Sequence, residues 1–289
     1  MIDLTIDGQA VEVEEGTSLL EACRSIGKDQ PTLCYLETLT PVNVCRVCVV
    51  EVQGSRTLVP SCSRAAEAGM VVRTDSERVR HSRRLVLEFL GSSVDLALSE
   101  EAGRLMERYD AHPERFRPRQ PVPAKVDNEL YIRDYSRCIL CYRCVEACGA
   151  DAQNTFALTV AARGFSAHIS TEFDLPLPQS ACVFCGNCIG VCPTGALMFR
   201  SEYELRRAGL WAEERQAVTR TVCSYCGVGC NLELHVQDNR IVKVTSPRDH
   251  EVTFGHLCIK GRFGYSYVQE LGDLATTPID QVLARAREG

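Results

Sequence analysis

Residues 138–148 read Cys138-Ile139-Leu140-Cys141-Tyr142-Arg143-Cys144-Val145-Glu146-Ala147-Cys148, and residues 182–193 read Cys182-Val183-Phe184-Cys185-Gly186-Asn187-Cys188-Ile189-Gly190-Val191-Cys192-Pro193. Both follow Cys-x2-Cys-x2-Cys-x3-Cys, so the chain contains an internal repeat of thiol runs. Three thiolates at this spacing can wrap one side of a polynuclear metal centre. The fourth thiol of each run lies further along and is free to serve the other centre. Structural zinc usually pairs two separate Cys-x2-Cys knuckles, which these continuous runs do not resemble.

The spacing is that of the bacterial two-cluster ferredoxin run, in which the fourth cysteine ligates the other cluster. A four-iron cubane has irons pointing apart, so one iron faces away from the three-thiol loop and needs a sulfur from elsewhere. One [4Fe–4S] cluster is expected on Cys138, Cys141, Cys144 and Cys192, the other on Cys148, Cys182, Cys185 and Cys188. Gly149 stands where a proline usually follows such a run, as Pro193 does in the second block. That departure is expected to alter the local turn more than the ligation.

Working outward, the chain has 289 residues, a net charge of −6 and seventeen cysteines. The length suits two or three modest domains. The acidic balance excludes the basic footprint of a nucleic-acid binder. Met1–Ile6 reads as a strand with acidic residues where a secretory signal would be basic, and Arg83-Arg84 is internal to a helical pattern. No apolar run approaches a membrane span. A cytoplasmic location is expected, where thiols stay reduced, so this many cysteines point to metal rather than disulfides.

Upstream, Ile2–Ile6 and Ala10–Glu14 alternate around Asp7-Gly8 as a hairpin, and Ser18 with Glu21 forms a capping-box signature for a short helix to Gly27. Val47–Gln53 and Thr57–Val59 read as strands, which together suggest a β-grasp domain. Within it lie Cys34-x10-Cys45-x2-Cys48-x13-Cys62. A close middle pair flanked by one cysteine on each side favours a [2Fe–2S] cluster, although spacing alone also admits zinc. Ser76 caps an expected helix to about Leu90 with Val79, Leu85, Val86, Phe89 and Leu90 on its apolar face. A second helix is expected near Ser99–Tyr109. His112–Asp127 holds four prolines and reads as an extended linker.

Downstream, Glu202–Arg215 reads as a connecting helix. Leu232–Gln237 and Arg240–Thr245 form a hairpin over Asp238-Asn239, and Asp280–Arg287 reads as a chain-ending helix. The last set is Cys223-x2-Cys226-x3-Cys230-x27-Cys258. Four sets of four leave Cys23, which is expected to be a small buried apolar residue in the first helix. His81 is expected at the surface rather than as a ligand.

The N-terminal spacing resembles the first domain of the large iron–sulfur subunit of complex I and of the matching subunits of NAD-linked hydrogenases and formate dehydrogenases. That resemblance implies a [2Fe–2S] cluster on Cys34, Cys45, Cys48 and Cys62. The flanks Thr221-Val222-Cys223-Ser224-Tyr225-Cys226-Gly227-Val228-Gly229-Cys230 and Cys258-Ile259-Lys260-Gly261-Arg262-Phe263-Gly264 resemble the first domain of molybdopterin oxidoreductases, most closely formate dehydrogenases. This implies a [4Fe–4S] cluster on Cys223, Cys226, Cys230 and Cys258. It also implies that Lys260 lies between that cluster and a partner-bound molybdopterin guanine dinucleotide carrying Mo or W. Locally, Lys260 also reads as a solvated surface lysine.

Two features of those families are missing. Complex I-like subunits carry a further site, His-x3-Cys-x2-Cys-x5-Cys, after the β-grasp domain. Taking Asp95 as the register, Ser92, Leu96, Ser99 and Leu105 occupy its positions, so that cluster is expected to be absent. The molybdopterin-binding catalytic body is also absent from this stretch, as is a Gly-rich dinucleotide fingerprint.

The expected fold class is α+β. It comprises a β-grasp [2Fe–2S] domain at 1–75, a helical segment and Pro-rich linker at 76–127, and a two-[4Fe–4S] ferredoxin domain at 128–203. A small β-rich molybdopterin-oxidoreductase [4Fe–4S] domain at 216–275 and a tail at 276–289 follow. The resemblance implies an electron-transfer subunit of an NAD-dependent formate dehydrogenase, with no catalytic residues of its own. It would relay electrons between a molybdopterin catalytic subunit and an FMN/NAD-binding flavoprotein subunit. The alternatives are a wiring subunit of an NAD-linked hydrogenase or electron-bifurcating reductase with no pterin contact, a zinc-rich structural module, and a truncated catalytic subunit.

Overall fold

The computed structural model describes residues 1–118, 120 and 122–270. The expected helix Asp280–Arg287 lies outside the described residues.

β1 (Ile2–Ile6) and β2 (Gln9–Val13) pair antiparallel. Their turn places Asp7 and Gly8 at φ 47° and 83°, the left-handed pair that matches the twist of a two-residue hairpin. α1 (Leu19–Ser25) starts at the capping box: Glu21 N–H donates to Ser18 Oγ at 3.2 Å and Ser18 N–H donates to Glu21 Oε2 at 2.9 Å. Period-two alternation turns Leu4, Ile6, Val11 and Val13 toward Leu19, Ala22 and Cys23 of the helix. Cys23 is fully buried in this core, in keeping with its small apolar reading. β3 (Val49–Val52), β4 (Val59–Pro60) and β5 (Val71–Arg73) complete a sheet of order β2-β1-β5-β3-β4, with β5 parallel to β1. That order is the β-grasp arrangement. The central strand β5 is not marked in the sequence, because three residues carry no period and its register comes from pairing Thr5 with Val71.

α2 (Glu77–Ser93) is capped by Ser76 and outlasts its expected end. Its buried row is Val79, Arg83 and Leu87, whereas Phe89 is half exposed and Leu85, Val86 and Leu90 are only partly covered. The expected apolar face is thus rotated, because the helix packs along an i, i+4 row that includes an arginine. α3 (Glu100–Tyr109) is capped by Ser99. The stretch after it is not simply extended. A 3-10 turn at Pro113–Arg115 folds back on α2, Arg115 pairs with the buried Glu88 at 2.9 Å, and the Phe116 ring lies 4.4 Å from that of Phe89. These contacts win because Glu88 is fully buried, and a carboxylate there needs a cationic partner.

In the middle region, β6 (Tyr131–Arg133), α4 (Arg143–Cys148), β7 (Thr159–Ala161), β8 (His168–Ser170), α5 (Asn187–Gly190) and β9 (Leu197–Phe199) follow in order. β6 pairs with β9 and β7 with β8, both antiparallel. The β6–β9 ladder ties the start of the repeat to its end. α6 (Arg200–Arg207) stops before Gly209, whose φ is +68°, and a separate 3-10 turn covers Glu213–Arg215. The single helix expected over 202–215 is therefore two pieces, divided at a glycine whose left-handed φ ends a helix at little cost.

β10 (Ala217–Val222), β11 (Asn231–Gln237) and β12 (Arg240–Thr245) form a three-stranded antiparallel sheet. The β11–β12 turn sets Asp238 and Asn239 at φ 51° and 60°, residue types that tolerate that region. α7 (Ile259–Phe263) and α8 (Ser266–Glu270) close the described chain. Phe263 reaches out of this unit to stack 6.1 Å from Tyr131 and to meet Phe199 at a tilt, 5.5 Å away, in the core between the cysteine repeats. Among the described residues, no helix is long and apolar enough to cross a membrane.

Candidate cluster sites

The N-terminal thiols are sealed. Cys34, Cys45, Cys48 and Cys62 are 3%, 9%, 1% and 2% exposed. Cys48 and Cys62 Sγ lie 3.4 Å apart, and Cys34 is within hydrogen-bonding reach of Cys45 and Cys62. Hydrogen bonds from Cys45 and Cys62 hold the Cys34 thiol down at about 2, while Cys45 and Cys62 are pushed up in return, first by that shared hydrogen bond and then by burial. Four mutually hydrogen-bonded thiols thus lie together, with Leu20 and Tyr35 packed on Cys48 and Cys62. Such a four-thiol group fits a metal centre, because a metal stabilises thiolates where burial alone would not.

The repeat builds its two sites by one backbone device. Leu140 and Tyr142 adopt φ 53° and 64°, and Phe184 and Gly186, at the same places in the second block, adopt 55° and 70°. Alternating left-handed residues turn successive N–H groups inward as a nest, a concavity suited to anionic clusters. Arg143 N–H accordingly bonds Cys141, and Asn187 N–H bonds Cys185. Burial and then the charge of Cys192 push Cys141 up to about 12, with Cys138 also close. After burial, the thiols acting most strongly on Cys188 are Cys185, Cys182 and Cys148. A small, almost wholly apolar cavity is lined by Cys138, Cys141, Cys144 and Cys192. The fold thus brings the fourth cysteine of each run to the three of the other.

Second contacts differ between the sites. Tyr131 Oη lies 3.2 Å from Cys182 Sγ, and Thr155 Oγ1 lies 3.3 Å from Cys148 Sγ. Gly149 N–H donates to Val145 O at 2.8 Å, and a Cβ there would meet that oxygen at 3.1 Å. A proline, which lacks the N–H and carries a ring, does not suit this turn.

The last set is open. Cys223 is buried and Cys230 half-buried, but Cys226 and Cys258 are exposed. Burial and then the charges of Cys223, Cys226 and Cys258 raise Cys230, so the four thiols face one another. Lys260 lies in α7 two residues past Cys258 and is exposed. Val222, Tyr225, Val228 and Ile259 are exposed around this set. Among the described residues, no three His, Cys, Asp or Glu side chains converge on a spacing suited to a single metal ion.

The replaced His-Cys positions are spread along ordinary structure. Ser92 donates to Phe89 O at 3.0 Å at the end of α2, and Leu105 is buried against Leu87 and Tyr109. His81 is exposed beside Arg84. Two residues near the cysteine sets were not picked out from sequence, Arg143 and Arg262. Both are buried guanidinium groups, and each sits inside or just after a cysteine motif, which was the available signal.

Residues 1–77 match the 2Fe-2S iron-sulfur cluster binding domain, residues 130–198 the ferredoxin-like domain of NADH-quinone oxidoreductase subunit 3, and residues 216–270 the molybdopterin oxidoreductase Fe4S4 domain. The chain is 35% identical over 280 residues to an NADH-quinone oxidoreductase subunit of Rhizobium meliloti, covering 93% of this chain and 32% of the relative. It is 35% identical over 289 residues to the NADPH-Fe(3+) oxidoreductase subunit alpha of Geobacter sulfurreducens, covering 95% and 32%. A Staphylococcus aureus protein that carries a formate dehydrogenase name is 27% identical over 312 residues, covering 92% and 31%. The chain thus spans about a third of the length of these curated relatives. Among solved structures, an NAD+-reducing [NiFe]-hydrogenase chain aligns with TM-score 0.62 and 27% identity over 69% of this chain and 87% of that one. Three matched domains in this order give the chain the make-up of the N-terminal part of complex I-like modular iron–sulfur subunits: a 2Fe-2S domain, a ferredoxin-like domain and a molybdopterin-oxidoreductase Fe4S4 domain.

Proposed function

We propose that this chain is the wiring part of an NAD-dependent formate dehydrogenase, relaying electrons between a molybdopterin catalytic unit and an FMN/NAD-binding flavoprotein. On this reading Cys34, Cys45, Cys48 and Cys62 hold one [2Fe–2S] cluster. Three [4Fe–4S] clusters sit on Cys138, Cys141, Cys144 and Cys192, on Cys148, Cys182, Cys185 and Cys188, and on Cys223, Cys226, Cys230 and Cys258. Such clusters supply one-electron transfer, and the protein tunes them through charge, hydrogen bonds and burial. The module limits 1–75, 128–203 and 216–275 belong to the same proposal.

The observation that carries the reading is the gradient of exposure along the series. Three thiol sets are largely enclosed by the chain itself, and the last presents Cys226, Cys258 and Lys260 on an apolar-rimmed open face. An exposed apolar rim marks a surface for another protein. A pterin-bearing body placed there would cover the set and bring Lys260 between cluster and pterin. The formate dehydrogenase-like wording of 221–230 and 258–264 and the Staphylococcus aureus relative support formate as the substrate.

The test is purification of the native protein with its partners, followed by metal, pterin and flavin analysis and a formate-dependent viologen assay. Recovery with a pterin chain and a flavin chain, and dye reduction by formate, is expected. Recovery of the chain alone defeats the proposal. The structural likeness to the hydrogenase chain favours one second reading, a hydrogenase-type assembly. A preparation that reduces the dye with hydrogen and not with formate would select it.

A further inference from the structure

A buried guanidinium stands at each junction between domains. Arg143 is 9% exposed and Arg262 fully buried. Arg143 donates to Tyr35 O at 2.5 Å, joining the loop after Cys34 to the first cysteine run, and its Nε has no partner. Arg262 donates from Nε to Cys185 O at 3.0 Å and from Nη2 to Asn187 Oδ1 at 3.1 Å, joining α7 to the second run, and its Nη1 has no partner. Among the described residues, neither pairs with a carboxylate.

Burying a cation without a counter-ion is strongly unfavourable. The negative groups acting on these two are cysteines. For Arg143 they are Cys141, Cys34 and Cys192, opposed by the nearby Arg248. For Arg262 they are Cys185, Cys188 and Cys258. Each arginine therefore faces two cysteine sets from two different domains. Arg133 instead pairs with Asp127. Among the described residues Arg83 also lacks a carboxylate partner and its Nε is unpaired, but its other nitrogens donate to Tyr109, Gln30 and Val49, and the charges acting most strongly on it come from Tyr109, Arg108 and Asp75 rather than from a cysteine. The backbone is shaped for Arg262 as well. A Cβ on Gly186 would lie 2.3 Å from Arg262 Cδ, whereas the equivalent place in the first run carries Tyr142.

We propose that Arg143 and Arg262 are the fixed counter-charges of the two inter-domain junctions, raising the reduction potentials of the clusters on either side of each. A fixed positive charge stabilises the more negative, reduced cluster, so its removal lowers the potential. The inference rests on the ligand sets proposed above.

The test uses the full chain loaded with clusters and EPR-monitored redox titration of Arg143→Gln, Arg262→Gln, Arg143→Lys and Arg262→Lys. Arg143→Gln is expected to lower the one-electron reduction equilibrium of the two-iron signal at least tenfold, about 59 mV. Arg262→Gln is expected to leave that signal within twofold and to lower four-iron signals at least tenfold. The lysine variants keep the charge and are expected to stay within threefold of the parent. The proposal is overturned if Arg143→Gln moves the two-iron signal less than twofold, if both glutamine variants move it equally, or if lysine shifts as far as glutamine. Where a glutamine variant fails to hold iron, its lysine partner decides. Retained iron at an unshifted potential supports the counter-charge, and loss of iron there too makes the arginine a packing bolt and overturns it. A parent chain without the expected signals breaks the ligand assignment instead, whereas full signals that do not move break only this inference.

Discussion

The first and last cysteine sets solve the same problem with opposite exposure. Cys34, Cys45, Cys48 and Cys62 are enclosed by one β-grasp domain, with Leu20 and Tyr35 packed on them. Cys223, Cys226, Cys230 and Cys258 sit at the edge of a three-stranded sheet whose first strand, β10, is exposed throughout, and two of the four thiols face outward. Among the described residues, the main N-terminal core cluster holds eleven buried residues and the C-terminal one four. The difference teaches how each set is enclosed. The first is closed over by its own domain, whereas the unit that carries the last leans on the cysteine repeat through Phe263 and Arg262 and leaves an exposed apolar rim.

The largest expected effect tests the pair of sites that lies between these extremes. Cys192→Ala and Cys138→Ala should each lose about four of about fourteen irons and leave the same residual EPR spectrum. Cys148→Ala and Cys182→Ala should share a different one. Matching spectra for Cys192→Ala and Cys182→Ala instead would reverse the crossover.

The comparison itself predicts an order of metal loss. Under an iron chelator the Cys223 set should empty first and the Cys34 set last, followed by EPR and iron release. Simultaneous loss would show that the difference in burial has no consequence for metal retention.

Leu20→Ala sharpens the point by opening the sealed end. Leu20 is fully buried against Cys48 and Cys62, so truncation should cost ~2–5 kcal/mol in chemical denaturation. It should also move the two-iron signal forward in the chelator order. Ser18→Ala is the control of smallest effect. It removes the α1 cap and should cost ~1 kcal/mol with iron content unchanged, since the Ser18 side chain bonds Glu21 rather than a thiol.

Much of this molecule was legible because its signals are local. Hairpin turns at Asp7-Gly8 and Asp238-Asn239, caps at Ser18 and Ser76, and the cysteine spacings are each written within a few residues. What was misread depended on distant partners. β5 is a strand because β1 and β3 flank it, and the true face of α2 is set by what Arg83 and Glu88 meet. The fold-back of Pro113–Arg115 follows from the same buried carboxylate.

By itself the sequence determined the donor chemistry: which residues are thiols and how many share a loop, because these follow from spacing and residue type. Only the tertiary structure decided how enclosed each set is and which charges stand between sets. Arg143 and Arg262 are ordinary arginines in the sequence. They become lone buried cations because separate domains close over them, and the low dielectric of that enclosure gives a single fixed charge its reach.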